Sequence, residues 1–347
     1  MNNILLEDIT NIASSKMVSW DKLEGKSVFV TGATGLIGSQ IVLGLDQHNK
    51  LFGTNIKVYA LARNKDKAAK LFGECTENVI TVMGDMCSPY EIDGDVDYIV
   101  HGASMTSSKD FVEKAVETIL TGIKSTANVL EFAREKNVSG FVYLSSLEAY
   151  GVTDPNLKGV KETDYGFIDQ LSPRSSYSEG KRMVECLCAS YASEYGIPVT
   201  VARLCQTFGP GVLYSDNRVF AQFARSIIEG KDIVLKTDGS TERNYCYIRD
   251  AVSAILTILL DGNSGEAYNV ANKDTLISIR GMAEMLIENY PESGTKLVFD
   301  IAEDITKLGY NPKVKMNLAT DKLEALGWKA QVGLEEMFRN LIISMKM

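Results

Sequence analysis

The run KSVFV (26–30) is short, apolar and rich in β-branched residues, and it passes directly into TGATGLIGS (31–39). This junction constrains the fold more than any other stretch. A buried strand, a glycine-rich turn and a helix start follow one another without a spacer. Gly32, Gly35 and Gly38 have the spacing G-x-x-G-x-x-G. The first glycine permits the tight turn. The second lets backbone N–H groups approach a pyrophosphate. The third lets the helix lie close to the strand with its N-terminus aimed at the anion. A glycine triplet alone is weak evidence, but one placed between a strand and a helix reads as a dinucleotide-binding loop. Thr34, Leu36 and Ile37 complete its cofactor-facing stretch.

The same alternation then repeats. Strands are expected at 57–63, 78–85, 96–104, 139–146, 197–205 and 266–272, with helical stretches such as 110–136 and 177–195 between them. Strands that alternate with helices imply a parallel sheet covered on both faces. The expected class is therefore α/β, a Rossmann doubly wound parallel sheet with a smaller, mostly helical C-terminal substrate-binding domain. Leu5, Ile9 and Ile12 recur at helical spacing, so residues 1–24 read as a helical extension docked on the body. Residues 25–205 plus 240–272 form the expected nucleotide-binding unit, and 206–239 plus 273–347 the cap.

Composition excludes several classes. The 347 residues carry a net charge of -9, and an acidic chain repels nucleic-acid phosphates. No apolar run reaches the roughly 18 residues of a membrane span. The first residues, MNNILLEDITNIASSK, lack the apolar core of a signal peptide. Six scattered cysteines and two histidines give no metal-ligand spacing, and reduced thiols suit a cytoplasmic protein.

The second strand usually ends in an acid that binds the ribose 2′-hydroxyl. Here it ends in Arg63, a cation able to pair with a 2′-phosphate, which tips an NAD(P) cofactor toward NADP. An arginine stacked on adenine would still tolerate NAD. Asp85, beside Met86, either accepts a hydrogen bond from the adenine amino group or caps a turn. Gly102, Ala103 and Ser104 are small residues where a cofactor ribose would pass, while His101 reads as a satisfied core histidine.

Tyr177 and Lys181 stand four apart at the front of a helix, so both lie on one face. A lysine beside a phenol, together with a positive nicotinamide, lowers the tyrosine pKa toward working pH. Tyr177 can then take a hydroxyl proton as hydride leaves the same carbon. With TGATGLIG, YLSSLEAYG (143–151), YSEGK (177–181) and RNYCYIRDAV (243–252), the chain resembles the extended short-chain dehydrogenase/reductase superfamily, in its nucleotide-sugar-modifying branch. The resemblance runs from about residue 26 to the end. It implies that Ser146 hydrogen-bonds the reacting oxygen, that Glu148 acts at the sugar, and that the common step makes a bound 4-keto sugar.

Three exits from that ketone follow: epimerisation at carbon 4, 4,6-dehydration, and loss of a β-carboxylate as carbon dioxide. Family dehydratases carry Thr-Asp-Glu where this chain has Ser146-Leu147-Glu148, and leucine cannot protonate a leaving hydroxyl. The stretch Pro173–Arg182, PRSSYSEGKR, is similar to that of UDP-glucuronate decarboxylases, which makes decarboxylation the lead reading and UDP the expected base. An NADPH-dependent keto-sugar reductase is a further alternative. The resemblance also implies that Arg174, Gln206, Arg218 and Arg243 bind substrate, the last two clamping its diphosphate. Gln206 and Gly211 depart from the family's asparagine and arginine, so the sugar pocket differs. Relatives dimerise through two helices each. The matching helices here carry Val112, Ile119, Val184 and Leu187, residues that equally suit burial against the sheet.

Overall fold

The computed structural model describes residues 3–103, 109–301 and 314–346, so Ser104 lies outside the described residues. Seven strands build the main sheet: β1 (Ser27–Thr31), β2 (Lys57–Ala62), β3 (Val79–Met83), β4 (Tyr98–His101), β5 (Gly140–Ser146), β6 (Val199–Leu204) and β10 (Ala267–Val270). All pairings are parallel, in the order β10-β6-β5-β4-β1-β2-β3. The order runs outward in both directions from β1 and β4, which are hydrogen-bonded neighbours. Crossovers leave these two strands on opposite faces, and a crevice opens at their carboxyl ends. Central strands are mostly apolar because both faces are covered: all five residues of β1 are buried.

Helices α2 (Leu36–Phe52) and α8 (Ile248–Asp261) cover one face. Helices α5 (Ala115–Lys136) and α6 (Ser176–Tyr195) cover the other and pack against each other. The long helix expected over 110–136 is interrupted at Lys114, whose φ of -131° and ψ of 46° leave a separate turn of helix, α4 (Asp110–Glu113). The extension forms helix α1 (Asn3–Ala13) and seats on α2. A Cβ on Gly44 would come within 2.6 Å of Ile12, so α2 needs a glycine at that crossing. The Asp8 carboxylate accepts the Tyr247 hydroxyl at 2.6 Å and lies 3.6 Å from Arg249. His48 stacks on Trp20 at 3.9 Å and bonds the Ala13 carbonyl.

Helix α3 (Lys65–Phe72) connects β2 to β3, and the C-terminal part carries helices α7 (Val219–Glu229), α9 (Ile279–Asn289), α10 (Asp321–Glu324) and α11 (Leu334–Lys346). It also holds two small sheets that the helical reading of this part missed. β7 (Gln206–Phe208), β9 (Glu242–Tyr247), β11 (Asn272–Ser278) and β13 (Lys315–Met316) form one. β8 (Ile233–Leu235) and β12 (Leu297–Phe299) form the other. β7, β8, β12 and β13 have only two or three residues, too short to show a period. β9, expected in the larger unit, pairs with β7, β11 and β13 instead.

Candidate active site

A cleft of about 640 Å³ opens at the carboxyl ends of the main-sheet strands. Its cofactor end is made of backbone. Gly32 has φ +68°, and a Cβ there would lie 3.0 Å from the Ala103 nitrogen. A Cβ on Gly38 would lie 2.3 Å from the Gly32 carbonyl oxygen. Only glycine lets the loop fold this tightly over the start of α2. Thr34, Gly35, Leu36 and Ile37 line the cleft, and no side chain caps α2 at Gly35. Its first N–H groups are therefore left for an anion, so this cradle fits a dinucleotide pyrophosphate.

Arg63 lines the same end, with its side chain 73% exposed. Lys67, which sequence reasoning passed over, lies beside it. Its signal was Asn64, whose side chain accepts the Lys67 N–H and caps α3, turning the first helical residues toward the cleft. Met86, Gly102 and Ala103 line the cleft, but Asp85 does not. Its carboxylate accepts the Cys87 N–H at 2.9 Å, so the turn-capping alternative is the one seen. His101 is fully buried between the hydroxyls of Thr31 (2.7 Å) and Thr126 (3.0 Å), and burial pushes it down to about 3.

At the sugar end, Ser146 closes β5, and Tyr177 and Lys181 project from the first turns of α6. The buried Lys181 Nζ donates to the Leu144 carbonyl at 2.7 Å and lies 4.6 Å over the Tyr143 ring. Burial pushes Lys181 down to about 8, against the opposing charge of Glu185. The Tyr177 phenol behaves otherwise than expected. Burial raises it above its ordinary value, the Glu148 charge adds to the rise, and a hydrogen bond with Ser146 opposes both. Lys181 does not offset this, because its ammonium is turned to the Leu144 carbonyl and lies 5.6 Å from the Tyr177 ring centre. A positive charge besides the protein's own is needed to bring the phenol down, and a bound nicotinamide supplies one.

Two buried ion pairs flank this centre. Arg203 binds both oxygens of Glu185, which also accepts the Ser145 hydroxyl. Arg174, expected to meet substrate, does not line the cleft. Its guanidinium lies 3.1 Å from each oxygen of Glu148, which also accepts the Ser178 hydroxyl at 3.2 Å. Glu148 itself lines the cleft, as do Leu147, Gln206 and Gly211. Arg218 lines it too, but bonds Asp216 at 2.6 Å. Arg243 stands on β9 outside the lining, with its buried Nε lacking a hydrogen-bond partner among the described residues.

The glycine cradle, the serine at the end of β5 and the Tyr-Lys pair sit in the region that one family description covers: the NAD dependent epimerase/dehydratase family matches residues 28–271. The chain belongs to the NAD-dependent epimerase/dehydratase family. It is an enzyme of the extended short-chain dehydrogenase/reductase type. Among its relatives, UDP-glucuronic acid decarboxylase 6 of Arabidopsis thaliana is 30% identical over 304 residues, covering 83% of this chain and 85% of that one. The dTDP-D-glucose 4,6-dehydratase of Mus musculus is 24% identical, covering 91% and 88%. The fold is shared with UDP-glucuronic acid 4-epimerase from Bacillus cereus, solved in complex with UDP-glucuronic acid and NAD, at a TM-score of 0.74 and 21% identity over 92% of this chain and 99% of that one.

Proposed function

We propose that the protein modifies a UDP-activated sugar by transient oxidation at carbon 4, with UDP-glucuronate decarboxylation as its reaction. One observation carries the choice of exit. Leu147 is 4% exposed and lines the cleft between Ser146 and Glu148, where dehydration would need a proton donor. The wall that remains has a hydroxyl, an alkyl group and a carboxylate. Tyr177, which lines the cleft with Ser146, takes the carbon-4 hydroxyl proton. The nicotinamide cofactor, when bound, accepts the hydride and later returns it. The resulting ketone is β to the sugar carboxylate. The bond to that carboxylate breaks, carbon dioxide leaves, and its electron pair moves into an enolate. Tyr177 and Ser146 stabilise the enolate oxygen, and reprotonation at carbon 5 precedes reduction. The similarity to UDP-glucuronic acid decarboxylases supports the same exit.

Arg63 and Lys67 at the adenosine end support NADP over NAD. For the diphosphate, Arg218 and Arg243 remain the proposed cations, with Gln206 at the sugar. A homodimer through α5 and α6 is supported by exposed Val116 and Leu120 on α5 and Met183 on α6, with Val112 exposed on the adjoining α4. Val184, expected in that interface, is buried in the subunit's own core and cannot serve. Six free cysteines fit a cytoplasmic location.

The test is incubation with UDP-glucuronate and added cofactor, measuring carbon dioxide and the product sugar. Stoichiometric carbon dioxide without net cofactor consumption is expected. An inverted carbon 4 with no carbon dioxide would move the assignment to a 4-epimerase. Net NADPH consumption with a keto-sugar would move it to a reductase.

A further inference from the structure

We propose that Arg174 is a positioning residue for this reaction, fixing the Glu148 carboxylate and the Tyr177 ring together rather than binding substrate. The proposal rests on the functional reading above for its turnover arm only.

The contacts form a continuous chain. One Arg174 nitrogen lies 3.1 Å from both carboxylate oxygens of Glu148, with side-chain exposures of 15% and 12%. The guanidinium carbon lies 5.0 Å from the centre of the Phe111 ring. The Phe111 ring in turn stacks on Tyr177 at 4.2 Å and 12°. Phe111 is held from behind, since its carbonyl accepts the Ser176 hydroxyl at 2.7 Å. Thus the turn at Pro173–Ser175, helix α4 and the first turn of α6 meet at one planar stack.

The physics favours a structural clamp with chemical consequences. A partly buried carboxylate is costly to leave unpaired, and Arg174 supplies its partner. Arginine is suited to both tasks, because its guanidinium is flat enough to stack and charged enough to pair. Lysine can do only the second. The charged and polar groups acting on the Tyr177 phenol are Glu148, which raises it, and Ser146, Arg174 and Arg218, which lower it, with Lys181 nearby. Removing Arg174 takes away the charge paired directly with Glu148, leaving Ser146 and the more weakly acting Arg218 to oppose it at the phenol. The same removal takes away one side of the stack that sets the ring's tilt.

The experiment compares the wild type with Arg174→Met, Arg174→Lys and Phe111→Leu, each with added NADP or NAD. The first readout is the tyrosinate ultraviolet difference spectrum against the Tyr177→Phe variant, followed with pH. It needs no sugar, so it stands even if UDP-glucuronate is the wrong substrate. Arg174→Met is expected to move the Tyr177 midpoint to higher pH, and Arg174→Lys is expected to restore it. The second readout is steady-state turnover. For Arg174→Met, kcat is expected to fall about 100-fold with KM changed less than about threefold. Arg174→Lys and Phe111→Leu are expected to lose about tenfold in kcat each, because each keeps one half of the clamp. A raised KM with unchanged kcat and an unmoved tyrosinate midpoint would make Arg174 a substrate-binding residue and overturn the proposal. Should Arg174→Met not fold, Arg174→Lys and Phe111→Leu carry the same decision through their kcat and KM.

Discussion

The two ends of the cleft are built in opposite ways. The cofactor end is backbone: three glycines, an uncapped helix start and cations in water at its edge. The sugar end is side chain: a tyrosine, a lysine and a serine wedged between two buried ion pairs, Arg174–Glu148 and Arg203–Glu185. Backbone recognition asks only that bulk be absent, so it tolerates exchange of most neighbours. Side-chain recognition asks that each charged group already have its partner, so its geometry is set before substrate arrives. The difference predicts how each end fails: the first by losing ligand, the second by losing rate.

The largest effect should come from Tyr177→Phe. Turnover is expected to fall by about 10³-fold or more, while cofactor affinity stays within about threefold, as measured by steady-state kinetics and fluorescence titration. Unimpaired turnover would remove Tyr177 from the chemistry. Gly38→Ala should do the reverse. A Cβ placed 2.3 Å from the Gly32 carbonyl must displace the loop, so cofactor affinity should drop by about 100-fold and thermal stability should fall with it. Normal affinity in that variant would mean that backbone does not hold the pyrophosphate. Arg63→Ala probes the wet edge of the same end. A charge-assisted contact is worth about 1.5 kcal/mol, so preference for NADP over NAD should decline about tenfold with kcat unchanged.

The smallest effect belongs behind the cleft, at Asp8. Burial raises its carboxyl to about 6 from 3.8, against the Tyr247 hydrogen bond and Arg249. The folded chain therefore holds that proton more tightly than the unfolded chain does. Its contribution to stability is present at low pH and is lost as pH rises between these two values. Asp8→Asn should flatten that decline and raise the melting temperature at neutral pH by a few degrees, with turnover unaffected. A pH profile of melting identical to the wild type would assign the buried carboxylate no cost.

Legibility in the sequence follows the same division. The main sheet could be read because each strand is a run of buried β-branched residues with a glycine or helix at its end. Tyr177, Lys181, Ser146 and the glycine loop could be placed because fixed spacings set their positions. Arg174 and Arg218 read as cations that meet a ligand, and Asp85 as a residue that either faces adenine or caps a turn. In the structure Arg174 holds Glu148, 26 residues away, and Arg218 holds Asp216. Partner choice of that kind depends on which loops meet, and no local pattern records it. The small strands of the C-terminal part escaped for a different reason. β13 has two residues and exists only because β9 offers it an edge.

The seating of helix α1 has a consequence for how the protein is made. Asp8 meets Tyr247, Ser19 meets Asp261, and the Met17 carbonyl meets Thr257, contacts spanning 239 to 242 positions of chain. At about 5–20 residues per second of synthesis, helix α1 is followed within seconds by α2, but only after tens of seconds by Tyr247, Thr257 and Asp261. Its apolar Ile12 can pack on α2 early, while Asp8 waits for its hydroxyl partner. Helix α1 is thus fastened in two stages, on α2 early and on Tyr247 only after most of the intervening chain has emerged.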